Sequence, residues 1–316
     1  MKVLITGAGG FVGQVLAESL LNENHSVILT DIAEPQIPPH ANNKQNATVI
    51  QADLCADSSS VLSPDLDAIY VFHGIMSAGS EANLELGYNV NLISSIKFLD
   101  AIRKTCRPDV RVVYASSCAT YGQPLPHSPS EATVPTPEGS YGTQKCMIEL
   151  LLNDYCRRGF LNAFTLRFPS ISVRGGKPTQ AASAWMSSII SQPLQGQEAL
   201  LPCPDDFECW LCSPRTLVHN LMLCLTLPKD CMPSHIRQVL LPGVTATVGE
   251  MLQALKDVGG DEAVALVKRQ DPTPETKALL ESWPVRFDVS KALGIGFQAD
   301  PGFKVAVQEF AETLKR

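Results

Sequence analysis

Lys2 to Thr6, an apolar and β-branched run, leads straight into Gly7-Ala8-Gly9-Gly10-Phe11-Val12-Gly13, and this junction constrains the chain more than any other feature. The run reads as a buried strand. Beyond the glycines, Phe11, Val12, Val15, Leu16 and Leu20 recur at helical spacing. A strand, a glycine turn and a helix in immediate succession open a strand-helix-strand unit. Each glycine then has a physical role. Gly7 permits the tight turn, Gly10 lets a pyrophosphate approach the backbone, and Gly13 lets the helix pack on the strand. The helix start at Phe11 and Val12 supplies free N–H groups and partial positive charge for phosphates.

The alternation continues. Strands are expected at Ser26–Thr30, Ala47–Ile50, Ala68–Phe72, Val110–Ala115 and Ala163–Phe168, with long helices over about 81–103 and 140–157. Strands alternating with helices predict an α/β fold, a doubly wound parallel sheet of the Rossmann type. After about Ser170 prolines become frequent and the alternation is lost. Residues 1–170 are read as the dinucleotide-binding domain and 171–316 as a smaller C-terminal substrate-binding region, partly interleaved with it.

Asp31 ends the second strand at the distance expected for a carboxylate that binds both adenosine ribose hydroxyls. It would repel a 2′-phosphate, which favours NAD over NADP. Asp53, followed by Leu54, could touch the adenine or be an ordinary turn residue. Tyr141 and Lys145 stand at i and i+4, one turn apart on one helix face. A free tyrosine, with a pKa near ~10, is a poor base at neutral pH, and a neighbouring ammonium lowers that value. Such a tyrosine can take a proton from a hydroxyl as hydride leaves the same carbon, and Lys145 can also hold the nicotinamide ribose. Ser116 and Ser117 follow the fifth strand, where a hydroxyl can orient the reacting oxygen. Asn91, a mediocre helix former inside a long helical stretch, suggests a local hydrogen-bonding duty.

With Gly7, Gly10, Gly13, Asp31, Asn91, Ser117, Tyr141 and Lys145 in this order, the chain resembles the extended short-chain dehydrogenase/reductase family, the NAD-dependent epimerases and dehydratases. The resemblance implies Ser117, Tyr141 and Lys145 as catalytic residues, with Asn91 supporting a proton relay. It also implies a cofactor lined by Ser116, by the backbone at His73 and Gly74, and by Phe168 and Ser170. A departure lies at His73-Gly74-Ile75-Met76, where many members carry a Leu-Ala-Ala type segment. His73 itself reads as packing or a structural hydrogen bond.

Over nearly the full length, segments such as Arg167-Phe168-Pro169-Ser170, Val173-Arg174-Gly175-Gly176-Lys177-Pro178 and Ser282-Trp283-Pro284 resemble a group within that family. This group oxidises the C2 hydroxyl of four-carbon sugar acids of the D-erythronate type. Gly175 departs from the proline expected there. Arg174, Lys177 and Arg215 are candidates to pair with a substrate carboxylate, or else are ordinary surface cations. Two other functions fit the same motifs: a nucleotide-sugar epimerase or dehydratase that recycles bound NAD, and a non-enzymatic NAD-sensing regulator. The resemblance implies a homodimer through the two long helices.

A net charge of -7 argues against broad binding to nucleic acid or an anionic membrane. No apolar stretch is long enough to span a bilayer, and the first strand leaves no room for a leader, so a cytoplasmic protein is expected. The 10 cysteines are scattered, mostly in apolar runs, as reduced buried thiols would be. Cys209 and Cys212 have C-x-x-C spacing beside Cys203, but no second pair completes a zinc set and no metal is expected. Trp185 and Trp283 read as core residues.

Overall fold

A computed structural model of the protein describes residues 1–176 and 183–315. The chain forms two compact units. The first comprises Met1–Thr120, Gly139–Arg167 and Val218–Val239, and the second comprises Tyr121–Glu138, Phe168–Leu217 and Leu240–Arg316. The chain enters the second unit three times.

In the order of the chain, the strands are β1 (Lys2–Thr6), β2 (Ser26–Asp31), β3 (Ala47–Gln51), β4 (Ala68–Val71), β5 (Arg111–Ser117), β6 (Asn162–Phe168), β7 (Ser170–Ile171), β8 (Ala199–Leu201), β9 (Glu208–Cys212), β10 (Gln238–Leu240), β11 (Val244–Thr247) and β12 (Val267–Arg269). The helices are α1 (Phe11–Asn22), α2 (Ser77–Ala82), α3 (Leu84–Gly87), α4 (Ser95–Thr105), α5 (Ser140–Arg157), α6 (Trp185–Ser191), α7 (Pro214–Leu223), α8 (Val248–Ala265), α9 (Pro274–Glu281), α10 (Ser290–Gly294) and α11 (Phe303–Thr313).

The first unit is built on a seven-stranded sheet in the order β10-β6-β5-β4-β1-β2-β3. β1 pairs in parallel with β2 and β4, as do β2 with β3 and β4 with β5. β1 and β4 are almost wholly buried, so both faces of the sheet are covered and their sequences read as continuous apolar runs. One face packs Phe98, Leu99 and Ile102 of α4 and Ile148 and Leu152 of α5 on Leu4, Ile69, Val71, Val112 and Tyr114. The i, i+4 recurrence of Ile148 and Leu152 creates that apolar stripe.

One expectation needs correction. The helical stretch over 81–103 is not a single helix. Asn83 adopts φ -141, ends α2 and caps α3 by accepting from Leu86 N at 3.0 Å. A short polar side chain that satisfies a backbone donor competes with helix continuation. A π-helical stretch, Tyr88–Ser94, then joins α3 to α4 and carries Asn91.

The second unit contains a three-stranded sheet, β11-β9-β7, and a pair, β12-β8. Its core gathers Val173, Trp185, Ile189, Leu211, Val248, Met251, Leu255, Val307 and Phe310, with Trp283 partly buried against it. α8 starts with a capping box between Thr247 and Glu250 and runs to Ala265 through a kink at Gly260, where φ is 74. Cys203, Cys209 and Cys212 are free, buried thiols in or beside this core, and burial pushes all three up. Cys209 and Cys212 lie an odd number of residues apart on β9, so their side chains leave opposite faces and the C-x-x-C spacing brings no pair together.

Arg237 is the largest fully buried side chain of the first unit. Its Nε donates to the Ala163 carbonyl at 2.7 Å, Nη1 to the carbonyls of Lys229 and Met232, and Nη2 to Asn162 Oδ1 at 2.8 Å. It ties the strand edge at β6 to the segment before β10. Arg237→Met would leave those acceptors unpaired in the interior. It should lower stability by about 3 kcal/mol, read as a lower urea midpoint at unchanged slope.

Candidate active site

The strand order reverses between β1 and β4, and in open α/β sheets the crevice at the carboxyl ends of such strands binds ligands. The glycine turn occupies that position. Gly7 has φ +66, and a Cβ added there would sit 2.6 Å from His73 N, at the end of β4. A Cβ at Gly13 would lie 2.7 Å from Ala8 Cα, so α1 packs on the turn at backbone distance. At Gly10 a Cβ would approach only the Gly7 carbonyl, at 3.3 Å, and the space outside is open. Gly10 is the N-cap of α1 and offers no side chain to its first-turn amides, so the N–H groups beginning at Phe11 and Val12 stay available to an anion. Asp31 stands beside this turn: its Oδ2 accepts from Gly9 N at 2.9 Å and its Oδ1 from Ile32 N at 2.7 Å. A cradle without side chains, an open helix N-terminus and an adjacent carboxylate suit the pyrophosphate and ribose of NAD.

Asp53 is exposed and closes a local turn by accepting from Cys55 N, and Leu54 packs in the core below it. His73 Nδ1 lies 2.8 Å from Thr6 Oγ1, and its ring meets Phe98 edge-on. Burial, reinforced by the charge of Lys145, pushes this imidazole down to about 4, so it is neutral near neutral pH. Asn91 has the duty its place in a helix suggested. Its Oδ1 accepts from Ile75 N at 2.7 Å, and its Nδ2 lies within hydrogen-bond distance of the Ile75 carbonyl, Ser80 Oγ and Gln144 Oε1. It thereby anchors the His73–Met76 loop to α5. A Cβ at Gly74 would sit 2.9 Å from Asn91 Oδ1, which is why this loop takes glycine where a larger residue would collide.

Ser117 ends β5, and its hydroxyl accepts from Ala119 N at 3.1 Å. Tyr141 lies in the first turn of α5. Lys145 Nζ lies 5.4 Å from the centre of the Tyr141 ring, 4.6 Å from that of Tyr114, and donates to the Ala115 carbonyl at 2.7 Å. The expected lowering of the tyrosine by this ammonium is not what the geometry gives. Burial pushes Tyr141 up to about 12 and Lys145 down to about 8. The nitrogen is held on a carbonyl rather than on the phenol oxygen, so desolvation wins.

Sequence reasoning passed over Glu149 and Arg167 as a pair. Ser116 Oγ donates to Glu149 Oε1 at 2.5 Å, so this hydroxyl already has a protein partner. Arg167 Nη2 donates to Glu149 Oε2 at 2.6 Å. Glu149 repeats the four-residue spacing of Tyr141 and Lys145, which was the available signal; its partner on β6 was not visible from spacing.

In the second unit, Phe168 and Ser170 flank the junction of β6 and β7. Arg174 is half-buried, and burial lowers its pKa; no carboxylate partners it among the described residues. Lys177 lies outside the described residues. Arg215 is exposed and paired with Glu309 at 2.8 Å, an arrangement that occupies its guanidinium at the surface.

Comparison with known proteins agrees with this layout. The model of the NAD dependent epimerase/dehydratase family matches residues 3–206. The chain belongs to that family, and it is an NAD-dependent enzyme. Over 318 residues it is 37% identical to a D-erythronate dehydrogenase of Haemophilus influenzae, covering 99% of both chains. It is 36% identical to a D-erythronate dehydrogenase of Cupriavidus necator, covering 99% of this chain and 98% of that one. Among solved structures it is similar to a nucleoside-diphosphate-sugar epimerase from Agrobacterium tumefaciens, with 34% identity and a TM-score of 0.88 over 99% of this chain and 94% of the other.

Asp31→Ser should weaken NADH binding about tenfold and allow NADPH to bind with comparable strength. Fluorescence titration with each nucleotide reads both effects; unchanged discrimination would remove Asp31 from the ribose site.

Proposed function

We propose that the protein is a sugar-acid dehydrogenase that oxidises the C2 hydroxyl of a four-carbon acid of the D-erythronate type to the 2-oxo acid. The observation that carries this reading is the end-to-end identity of 37% with a D-erythronate dehydrogenase. Support comes from the placement of Tyr141 and Lys145 one turn apart on α5, with Ser117 at the end of β5. NAD, when bound, accepts the hydride from C2. In the same step the C2–O–H proton passes to Oη of Tyr141, which must first be ionised to the phenolate, as the C=O bond forms, while Ser117 holds the reacting oxygen. Lys145 supplies the positive charge that offsets the cost of a buried phenolate. Arg174, a half-buried cation with no carboxylate partner among the described residues, takes the carboxylate of the acid.

A second reading is favoured by the identity with the Agrobacterium tumefaciens epimerase. An epimerase returns the hydride and releases no NADH, so absorbance of free NADH separates the two.

Four exposed apolar residues of α3 and the π-helical stretch (Leu84, Leu86, Tyr88, Ile93), Ile96 on α4, and Met147 and Leu150 on α5 support a homodimer. No helix among the described residues is long and apolar enough to cross a membrane.

Incubation with NAD and D-erythronate, L-erythronate, D-threonate or L-threonate should produce NADH strongly with the first alone. With the active acid, Tyr141→Phe should lower kcat about 10³-fold while NADH affinity stays within about threefold; retained turnover would sink the proton-transfer role. Arg174→Met should raise KM for the acid about 30-fold with NADH affinity unchanged. In light scattering the protein should have twice its chain mass, and Ile96→Glu combined with Leu150→Arg should halve it.

A further inference from the structure

Glu149 sits one turn beyond Lys145 and two turns beyond Tyr141 on α5, with its side chain inside the unit. Its carboxylate is held from two sides. Ser116 Oγ donates to Oε1 at 2.5 Å, and Arg167 donates from Nε to Oε1 at 3.0 Å and from Nη2 to Oε2 at 2.6 Å. Glu149, Ser116 and Arg167 are each 2% exposed. Burying such a pair is no more stabilising than apolar filling, so stability alone does not account for it.

The surroundings of the pair point to a role in the site. Ser116 lies between Ala115, whose carbonyl accepts from Lys145 Nζ at 2.7 Å, and Ser117. The carboxylate therefore grips the stretch of β5 that carries both groups, from the helix that carries Tyr141 and Lys145, and Arg167 extends the grip to β6. Lys145 is a buried cation, and a carboxylate at i+4 is a nearby counter-charge.

We propose that Glu149 is a positioning residue of the reaction. Through Ser116 it fixes the end of β5 that presents Ser117 and the Ala115 carbonyl, and its negative charge keeps Lys145 an ammonium beside Tyr141. This rests on the Tyr141–Lys145 reading above.

The groups that face Lys145 are Tyr141 and Glu149 on α5, Tyr114 on β5 and His73 beyond β4, with Cys146 and Arg167 beside Glu149. Burial holds Tyr114 well above its usual range, Cys146 and Tyr141 at about 12, and His73 at about 4. Lys145, drawn down by burial to about 8 and pushed back up by Glu149, is then the group among them that titrates in the range between. Removing the negative charge makes the ammonium harder to keep, so its proton is lost at lower pH.

The test follows Glu149→Gln across pH by two readouts: kcat/KM for the active acid, and NADH affinity by fluorescence. Both alkaline limbs should move down by about one pH unit relative to the wild type. Because the single change leaves Arg167 without its carboxylate, Glu149→Gln with Arg167→Met serves as a second variant and should move the limbs in the same direction by a smaller amount, since a neighbouring cation goes with the anion. Ser116→Ala, which cuts the tie to β5 and keeps the charge, should lower kcat severalfold with the limbs unmoved. Limbs that stay in place in the folded Glu149 variants would overturn the proposal, as would failure of both variants to fold. Absence of turnover by the wild type would defeat the sugar-acid reading instead, and the NADH-binding limb would still decide the role of Glu149.

Discussion

The first turn of the chain packs at backbone distance against the end of a neighbouring strand, and the nucleotide site depends on that approach. A side chain at Gly7 would collide with Phe72 and His73, and one at Gly13 with Ala8. Neither position tolerates a Cβ without moving β1, β4 or α1, which are buried elements packed at interior density. Close contact puts the start of α1 at the point where the strand order reverses. The first amides of that helix are then left without a side-chain cap, open to an anion. The Asp31 carboxylate, bonded to Gly9 N, closes the same turn from β2.

A second constraint is electrostatic. α5 buries Lys145 and Glu149, four residues apart, and leaves Met147 and Leu150 exposed on its other side. The buried charges are connected by named hydrogen bonds to β5 and β6, and Asn91 connects the loop after β4 to Gln144 on the same helix. Helix α5 is thereby tied to three successive strand ends. Desolvation favours the neutral form of both groups, raising Tyr141 and lowering Lys145, and the Glu149 carboxylate opposes the second effect. Chemistry at such a site depends on charge brought in with ligands and on the counter-charge already present.

Local pattern was sufficient for much of this. The strand–glycine–helix junction, the Tyr141–Lys145 spacing and the limits of α5 were legible because each depends on residues close together in the chain, whose periodicity is the physical cause of the element. Asn91 was legible as an oddity, a poor helix former in a helical stretch, though not as the anchor of the His73–Met76 loop. The break at Asn83 was not legible, because a capping hydrogen bond and helix continuation compete on nearly equal terms.

The sequence alone determined the class of fold, the glycine turn between β1 and α1, and the face of the helix that carries Tyr141 and Lys145. Tertiary structure alone decided that Glu149 pairs with Arg167 and Ser116, that Arg215 is engaged by Glu309, and that burial raises Tyr141 instead of Lys145 lowering it. The physical reason is range. Periodicity and turn chemistry act between residues a few positions apart, whereas desolvation and ion pairing depend on what other segments bring alongside. Segments 18 or 94 residues apart along the chain leave no trace of that meeting in the local pattern.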